Sequence, residues 1–138
     1  MKLIKILLGL FCAFLFVIAT NQLASADSYR AVINGHSYAL QTANNQTSRA
    51  FVKKLPLSMK MKELNGNEKY HYLASKLPAN DHQVHQIHKG DVMLYQSRCI
   101  VVFYKSFKTD YAYTKIGHLQ GFDHANIGKS AVQVNWQR

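Results

Sequence analysis

Cysteine is nearly missing from this chain, which has two in 138 residues. Cys12 falls in an N-terminal apolar run, so Cys99 alone is left for a folded domain. One thiol closes no intramolecular disulfide, and the fold must rest on its core. Cys99 opens the apolar string Cys-Ile-Val-Val-Phe-Tyr and reads as a small buried hydrophobe rather than a reactive group. Acids are also few, seven Asp+Glu against 17 Lys+Arg. Paired carboxylates for glycosidase-type chemistry are therefore hard to assemble; Glu63 and Glu68 merely bracket a turn. There is no Gly-x-Ser-x-Gly elbow and no Gly-rich phosphate loop, which removes the common hydrolase and nucleotide-binding patterns. No cofactor is expected. Seven Gly and two Pro exclude a collagen-like fibre, and the length excludes a repeat array or a multidomain enzyme.

What is present begins with a leader. Lys2 and Lys5 precede an apolar run over 6–19, and Ala24-Ser25-Ala26 supplies the small-x-small pattern of a signal-peptidase site. The run is short for a membrane span. Residues 1–26 are thus expected to be a secretory signal peptide and 27–138 one exported domain, in the periplasm, envelope or medium.

That domain reads as short strands. Residues 29–33 and 37–41 alternate around Asn34-Gly35, the strongest short hairpin signal. A helix is expected over 48–55, with Thr47 or Ser48 as N-cap and Pro56 as stop. Residues 57–64 alternate, 65–68 form a turn, and 70–73 make a further strand. The pattern is lost over 74–89, which reads as a long surface loop. Residues 92–95 and 99–104 follow, the second continuously apolar and so a strand buried on both faces. Residues 111–119 alternate again, 122–127 suggest a helical turn or two, and 131–136 close the chain. The total is about eight short strands and two short helices, a mainly β closed or half-closed barrel.

Four strings agree in order with a known family: Leu55-Pro56-Leu57; Glu63-Leu64-Asn65-Gly66-Asn67-Glu68-Lys69-Tyr70; Gly90-Asp91-Val92-Met93-Leu94-Tyr95; and Val102 to Phe107 running on to Tyr111, Tyr113 and Gly117. They resemble the small bacterial cyclophilin-like domains. The resemblance spans nearly all of 27–138 and implies a reduced cyclophilin-type barrel. It implies no activity. The Phe-His-Arg and Phe-x-Met-x-Gln strings of the prolyl isomerases are absent, and His36 and Arg49 stand far apart.

Two segments combine polar groups and aromatics beside turns, where a small barrel gathers ligand contacts. The first supplies Asn65, Asn67, Glu68 and Tyr72; the second Tyr104, Lys105, Ser106, Phe107, Tyr111 and Tyr113. They make the domain a candidate binding module for a small ligand or peptide. The alternative is a prolyl isomerase or envelope folding helper, with Arg98, Lys105 or Tyr104 as donor over a bed of Phe107, Tyr111 and Tyr113. His82, His85 and His88 recur every third residue and would share a face only on a helix; in a loop-like stretch no metal site is expected from them. The charge of +10 admits anionic envelope polymers as partners, while export argues against genomic nucleic acid. A monomer is expected.

Overall fold

The computed structural model describes residues 28–138 except 124 and 126. The expected leader, 1–26, lies outside the described residues. Strands β1 (Tyr29–Ile33) and β2 (His36–Thr42) flank Asn34 and Gly35, whose φ values of 48° and 79° both lie in the left-handed region. A two-residue turn between right-twisted strands requires that, and Asn and Gly accept it at least cost.

Helix α1 (Gln46–Lys53) starts two residues earlier than the sequence suggests. Its cap is Asn45, in extended conformation, whose side-chain oxygen accepts from Ser48 N at 2.8 Å. Thr47 and Ser48, the expected caps, lie inside the helix and are buried. Asn45 takes the role because its Nδ2 also donates to Lys115 O at 2.8 Å, fixing the helix start to the sheet.

Strands β3 (Leu57–Leu64) and β4 (Glu68–Tyr72) follow, joined through Asn65 and Gly66, again both at positive φ. Glu68, expected in the turn, is the first residue of β4. The expected surface loop 74–89 is partly built in. It carries β5 (His82–Gln83) and β6 (Gln86–Ile87), and it buries Leu77 and Ile87. Two-residue strands have no periodicity for a sequence to display. Then come β7 (Asp91–Tyr95), β8 (Cys99–Phe103), β9 (Phe107–Lys108), β10 (Ala112–Leu119) and β11 (Val132–Gln137).

Neighbouring strands run antiparallel in the order β2-β1-β11-β3-β4-β8-β7-β10, and β10 returns to β2 through Gly117↔Thr42, His118↔Gln41 and Leu119↔Leu40. The result is a closed eight-stranded barrel with one short α-helix among the described residues. The second expected helix, 122–127, falls partly on residues that are not described. β5 extends the β10 side, and β6 and β9 pair as a separate ribbon. The closing seam depends on Gly117. A Cβ there would lie 2.4 Å from Gln41 O, so any side chain would push β10 off β2.

β8 is buried along its whole length, as its composition predicts, but its two faces serve different clusters. Ile100 and Val102 enter the barrel interior with Ala31, Ile33, Met61, Val134 and Trp136. Phe51 of α1 meets Trp136 edge-on, centroids 5.2 Å apart. Each such aliphatic chain contributes about 1.5–3 kcal/mol by leaving water. Cys99, Val101 and Phe103 point outward, because Cβ direction alternates along a strand. They form a smaller second cluster with Ile87, Met93 and Tyr113. The β5–β6 and β9 segments cover part of that outer face and leave the rest open.

Candidate functional site

The open part of the outer face is a hollow of ≈ 310 Å³. Strand register builds it. Glu68 pairs with Phe103, Tyr70 with Val101 and Tyr72 with Cys99, so alternate residues of β4 and β8 share one face. Tyr95 of β7 stands opposite Cys99 and enters from the far side. Tyr111 and Tyr113 complete the wall from the start of β10. A second hollow of ≈ 500 Å³ adjoins it, sharing Asn65, Glu68, Tyr111 and Tyr113 and reaching Asn67, Phe107, Lys108 and Asp110.

The aromatic rings form two connected groups. Tyr111 and Tyr95 are 6.4 Å apart at 85°, Tyr95 and Tyr113 5.7 Å, Tyr113 and Phe103 5.5 Å, Phe103 and Phe107 5.6 Å. Across β4, Tyr70 and Tyr72 are 5.9 Å apart at 79°. Steep edge-to-face pairs satisfy the ring quadrupoles while leaving further ring faces bare. Tyr72 and Tyr111, at the rim, are 62% and 65% exposed, which marks the rim as an open aromatic surface.

Burial raises the Tyr113 hydroxyl to about 12, with the Glu68 carboxylate adding to it and a hydrogen bond with Thr109 opposing. Burial likewise raises the Cys99 thiol to about 11, helped by Glu68 and opposed by a hydrogen bond with Tyr72. The thiol is therefore protonated at neutral pH and inert, in keeping with its burial.

Glu68 is the chemical outlier. It is 9% exposed and lines both hollows, onto which its carboxylate opens, with no hydrogen bond or ion pair to that carboxylate found among the described residues. Burial first, then the nearby Glu63 carboxylate, raises its pKa above the usual carboxylate range. Such a group favours the fold only while protonated. That contribution is complete below its unfolded pKa and is lost as pH rises through the higher folded value. Above that value the ionised carboxylate opposes folding. Glu68→Gln should accordingly raise the melting temperature by roughly 2–5 °C at pH 7 and leave it nearly unchanged at pH 4. A melting-temperature drop at pH 7 would mean that the carboxylate has a stabilising partner.

The sequence candidates divide. Asn65, Asn67, Glu68, Tyr72, Phe107, Tyr111 and Tyr113 all line the two joined hollows. Tyr104 and Lys105 line a different depression, with Glu63, Gly66 and Lys129. The Tyr104 hydroxyl donates to Glu63 Oε1 at 2.5 Å, and the ring is 6% exposed, so Tyr104 braces the barrel end. Ser106 Oγ accepts from Lys89 N at 2.8 Å and holds the loop before β7. His82, His85 and His88 do not share a face, because their segment is extended and turned rather than helical; His85 has φ 62°. Among the described residues no group of three His, Cys, Asp or Glu could hold a metal.

Sequence reasoning missed Tyr70 and Tyr95, which join the site only through the β4–β8–β7 register. It also missed Lys69. That side chain is fully buried and donates to Glu63 Oε2 at 2.6 Å, Ser130 O at 2.7 Å and Gly128 O at 3.0 Å. Its ammonium lies 5.2 Å from the Tyr104 ring centroid. All three donors of the buried amine therefore have an acceptor, as a buried polar group requires. The network also occupies Glu63, leaving Glu68 as the uncommitted acid of the pair.

No helix among the described residues is long and apolar enough to cross a membrane. No curated protein and no solved structure matches the chain. The sequence pattern of one family, described as the cyclophilin-like family, matches residues 31–137, all eight barrel strands but for the first residues of β1. By that match the chain belongs to the cyclophilin-like family.

Proposed function

We propose that this cyclophilin-like domain is an exported binding module whose joined outer hollows take a small ligand or the side chains of an extended peptide. The supporting observation is the aromatic rim, Tyr72 and Tyr111, beside a buried carboxyl that has no partner of its own. The barrel interior needs none of these groups. The basic-then-apolar run and Ala24-Ser25-Ala26 support a leader over 1–26 and hence a place outside the cytoplasm. An anionic polymer fits these hollows poorly, since it would face Glu68; the lysine-rich remainder of the surface suits solubility. The isomerase alternative has less support. Neither hollow is lined by an arginine, and Arg98 Nε is held to Leu73 O at 2.9 Å.

The test is a fluorescent pentapeptide array with each residue in turn at the centre, probed with protein from the exported fraction. Mass spectrometry of that fraction should give an N-terminus after Ala26. Wild type should retain a subset of peptides, and Tyr72→Ala and Tyr111→Ala should lose them. Both side chains are exposed, so stability should change by about 0.5 kcal/mol or less. An array that stays blank removes the peptide form of the reading, and one that the variants bind as well as wild type removes the hollows as the binding site. A protease-coupled prolyl-peptide assay with turnover above background would favour the isomerase instead.

A further inference from the structure

Resting on that binding reading, we propose that the hollow selects an organic cation, an alkylammonium group held against tyrosine faces with Glu68 as its counter-ion. Three observations lead there. The first is the shape of the wall. Tyr95 and Tyr111 meet at 85° and Tyr70 and Tyr72 at 79°, so rings stand as the sides of a box rather than as a stack. A cation is drawn to the negative face of such rings, and several rings around one cation add their attraction.

The second is the charge inside the box. The ≈ 310 Å³ hollow is lined by one carboxylate, Glu68, and by no lysine or arginine. In a chain with 17 basic residues and seven acidic ones, a hollow of that composition is the local reverse of the whole. The adjoining hollow holds Lys108 and Asp110, which offset each other in sign. At physiological salt the remote positive charges are screened beyond about 8 Å, so a bound cation responds to the near groups.

The third is that Glu68 is uncommitted. Its neighbour Glu63 is occupied by Lys69 and Tyr104. An unpaired, largely buried carboxylate is costly to keep, and an arriving ammonium relieves that cost while it strengthens in the reduced dielectric. A neutral ligand of the same shape gains the apolar contact alone. The volume suits a headgroup and a short chain, such as a free alkylamine or a lysine side chain.

The experiment compares charged and neutral isosteres by calorimetry or chemical-shift titration of the exported protein. Choline is set against 3,3-dimethylbutanol, and butylammonium against butanol. Ac-Gly-Lys-Gly-amide set against its norleucine counterpart distinguishes a peptide source from a free amine. Each cation of the preferred source should bind about tenfold more tightly than its neutral partner. Glu68→Gln should remove most of that preference while keeping the melting temperature at or above wild type. Equal affinity for both members of every pair overturns the cation proposal and leaves the binding module standing. Binding of neither member overturns the cation proposal, and a blank peptide array beside it removes the binding reading too. Retention of the preference in Glu68→Gln also overturns it, since the carboxylate then has no part in selection.

Discussion

Val102→Asp should yield no soluble folded protein. Val102 is fully buried on the interior face of β8, between the β4 and β7 pairings. Ala31, Ile33, Met61 and Val134 offer an aspartate there no cation, and Lys69, opposite Val102 in the β4–β8 register, already gives its three protons to Glu63, Gly128 and Ser130. It must enter either charged, at a cost of several kcal/mol, or protonated with unmade hydrogen bonds. Stability of a domain this size is about 5–15 kcal/mol, so one such group consumes most of it. Val101→Ala is the companion, because Val101 faces the outer cluster and the hollow. It should remain folded, with a loss of about 1–2 kcal/mol by chemical denaturation. If Val102→Asp melts like wild type, the inward assignment of β8 is wrong.

Lys69→Met should cost about 3 kcal/mol, read as a fall of roughly 10–20 °C in melting temperature. Methionine matches the lysine stem in volume, so the loss isolates the ammonium. Removing it leaves Gly128 O and Ser130 O without their donor and leaves Glu63 with the Tyr104 hydroxyl alone. A stranded acceptor costs up to about 1–3 kcal/mol when buried; residues 128 and 130 are exposed and Glu63 partly so, and each recovers some of its share from water. The double variant Lys69→Met/Glu63→Gln should recover about 1 kcal/mol, the coupling expected of contacting groups. Additive losses would show that the ion pair contributes nothing and that the two carbonyls carry the effect.

These two sites differ in what a reader of the sequence can see. Val102 sits in an unbroken apolar string, and such a string between turns declares a strand covered on both faces. Asn34-Gly35 and Asn65-Gly66 declare their hairpins by the same local logic, since positive φ belongs to few residues. Lys69 declares nothing. Lysine in an alternating segment beside Glu68 and Tyr70 reads as a solvent-facing position, and its burial depends on carbonyls that arrive with residues 128–130. The helix cap was misplaced for a related reason. Thr47 and Ser48 are good caps locally, but Asn45 has a second partner in β10 that no window of sequence contains.

The candidate site shows the same division. The turn and the aromatic segment after β8 identified Asn65, Asn67, Glu68, Phe107, Tyr111 and Tyr113, because aromatics next to turns are seldom needed by a core. Tyr104, Lys105 and Ser106 share that composition and turn away, since direction alternates and the chain leaves β8 at Phe103. Tyr70 and Tyr95 are indistinguishable in sequence from other strand tyrosines. Only the pairing of Tyr70 with Val101 and of Tyr95 with Cys99 brings them to one wall.

The barrel seam has a consequence in time. The hairpin β1–β2 is the first folded element to leave the ribosome, and both of its outer neighbours are made last. β2 pairs with β10, and β1 pairs with β11 from Arg30↔Gln137 to Ile33↔Val134. Both edges of the hairpin stay bare until β10 emerges, and the β1 edge and the interior stay open until β11 follows. Each of these pairings spans most of the chain, so loop-closure entropy delays them further. The nascent protein therefore remains unclosed through synthesis and gains its interior in one late step. A chain in that state is still threadable, which is what passage through a secretion pore under the proposed leader demands. The same delay leaves β2 and β10 free to pair with other copies, so overproduction without export should send this protein to aggregates.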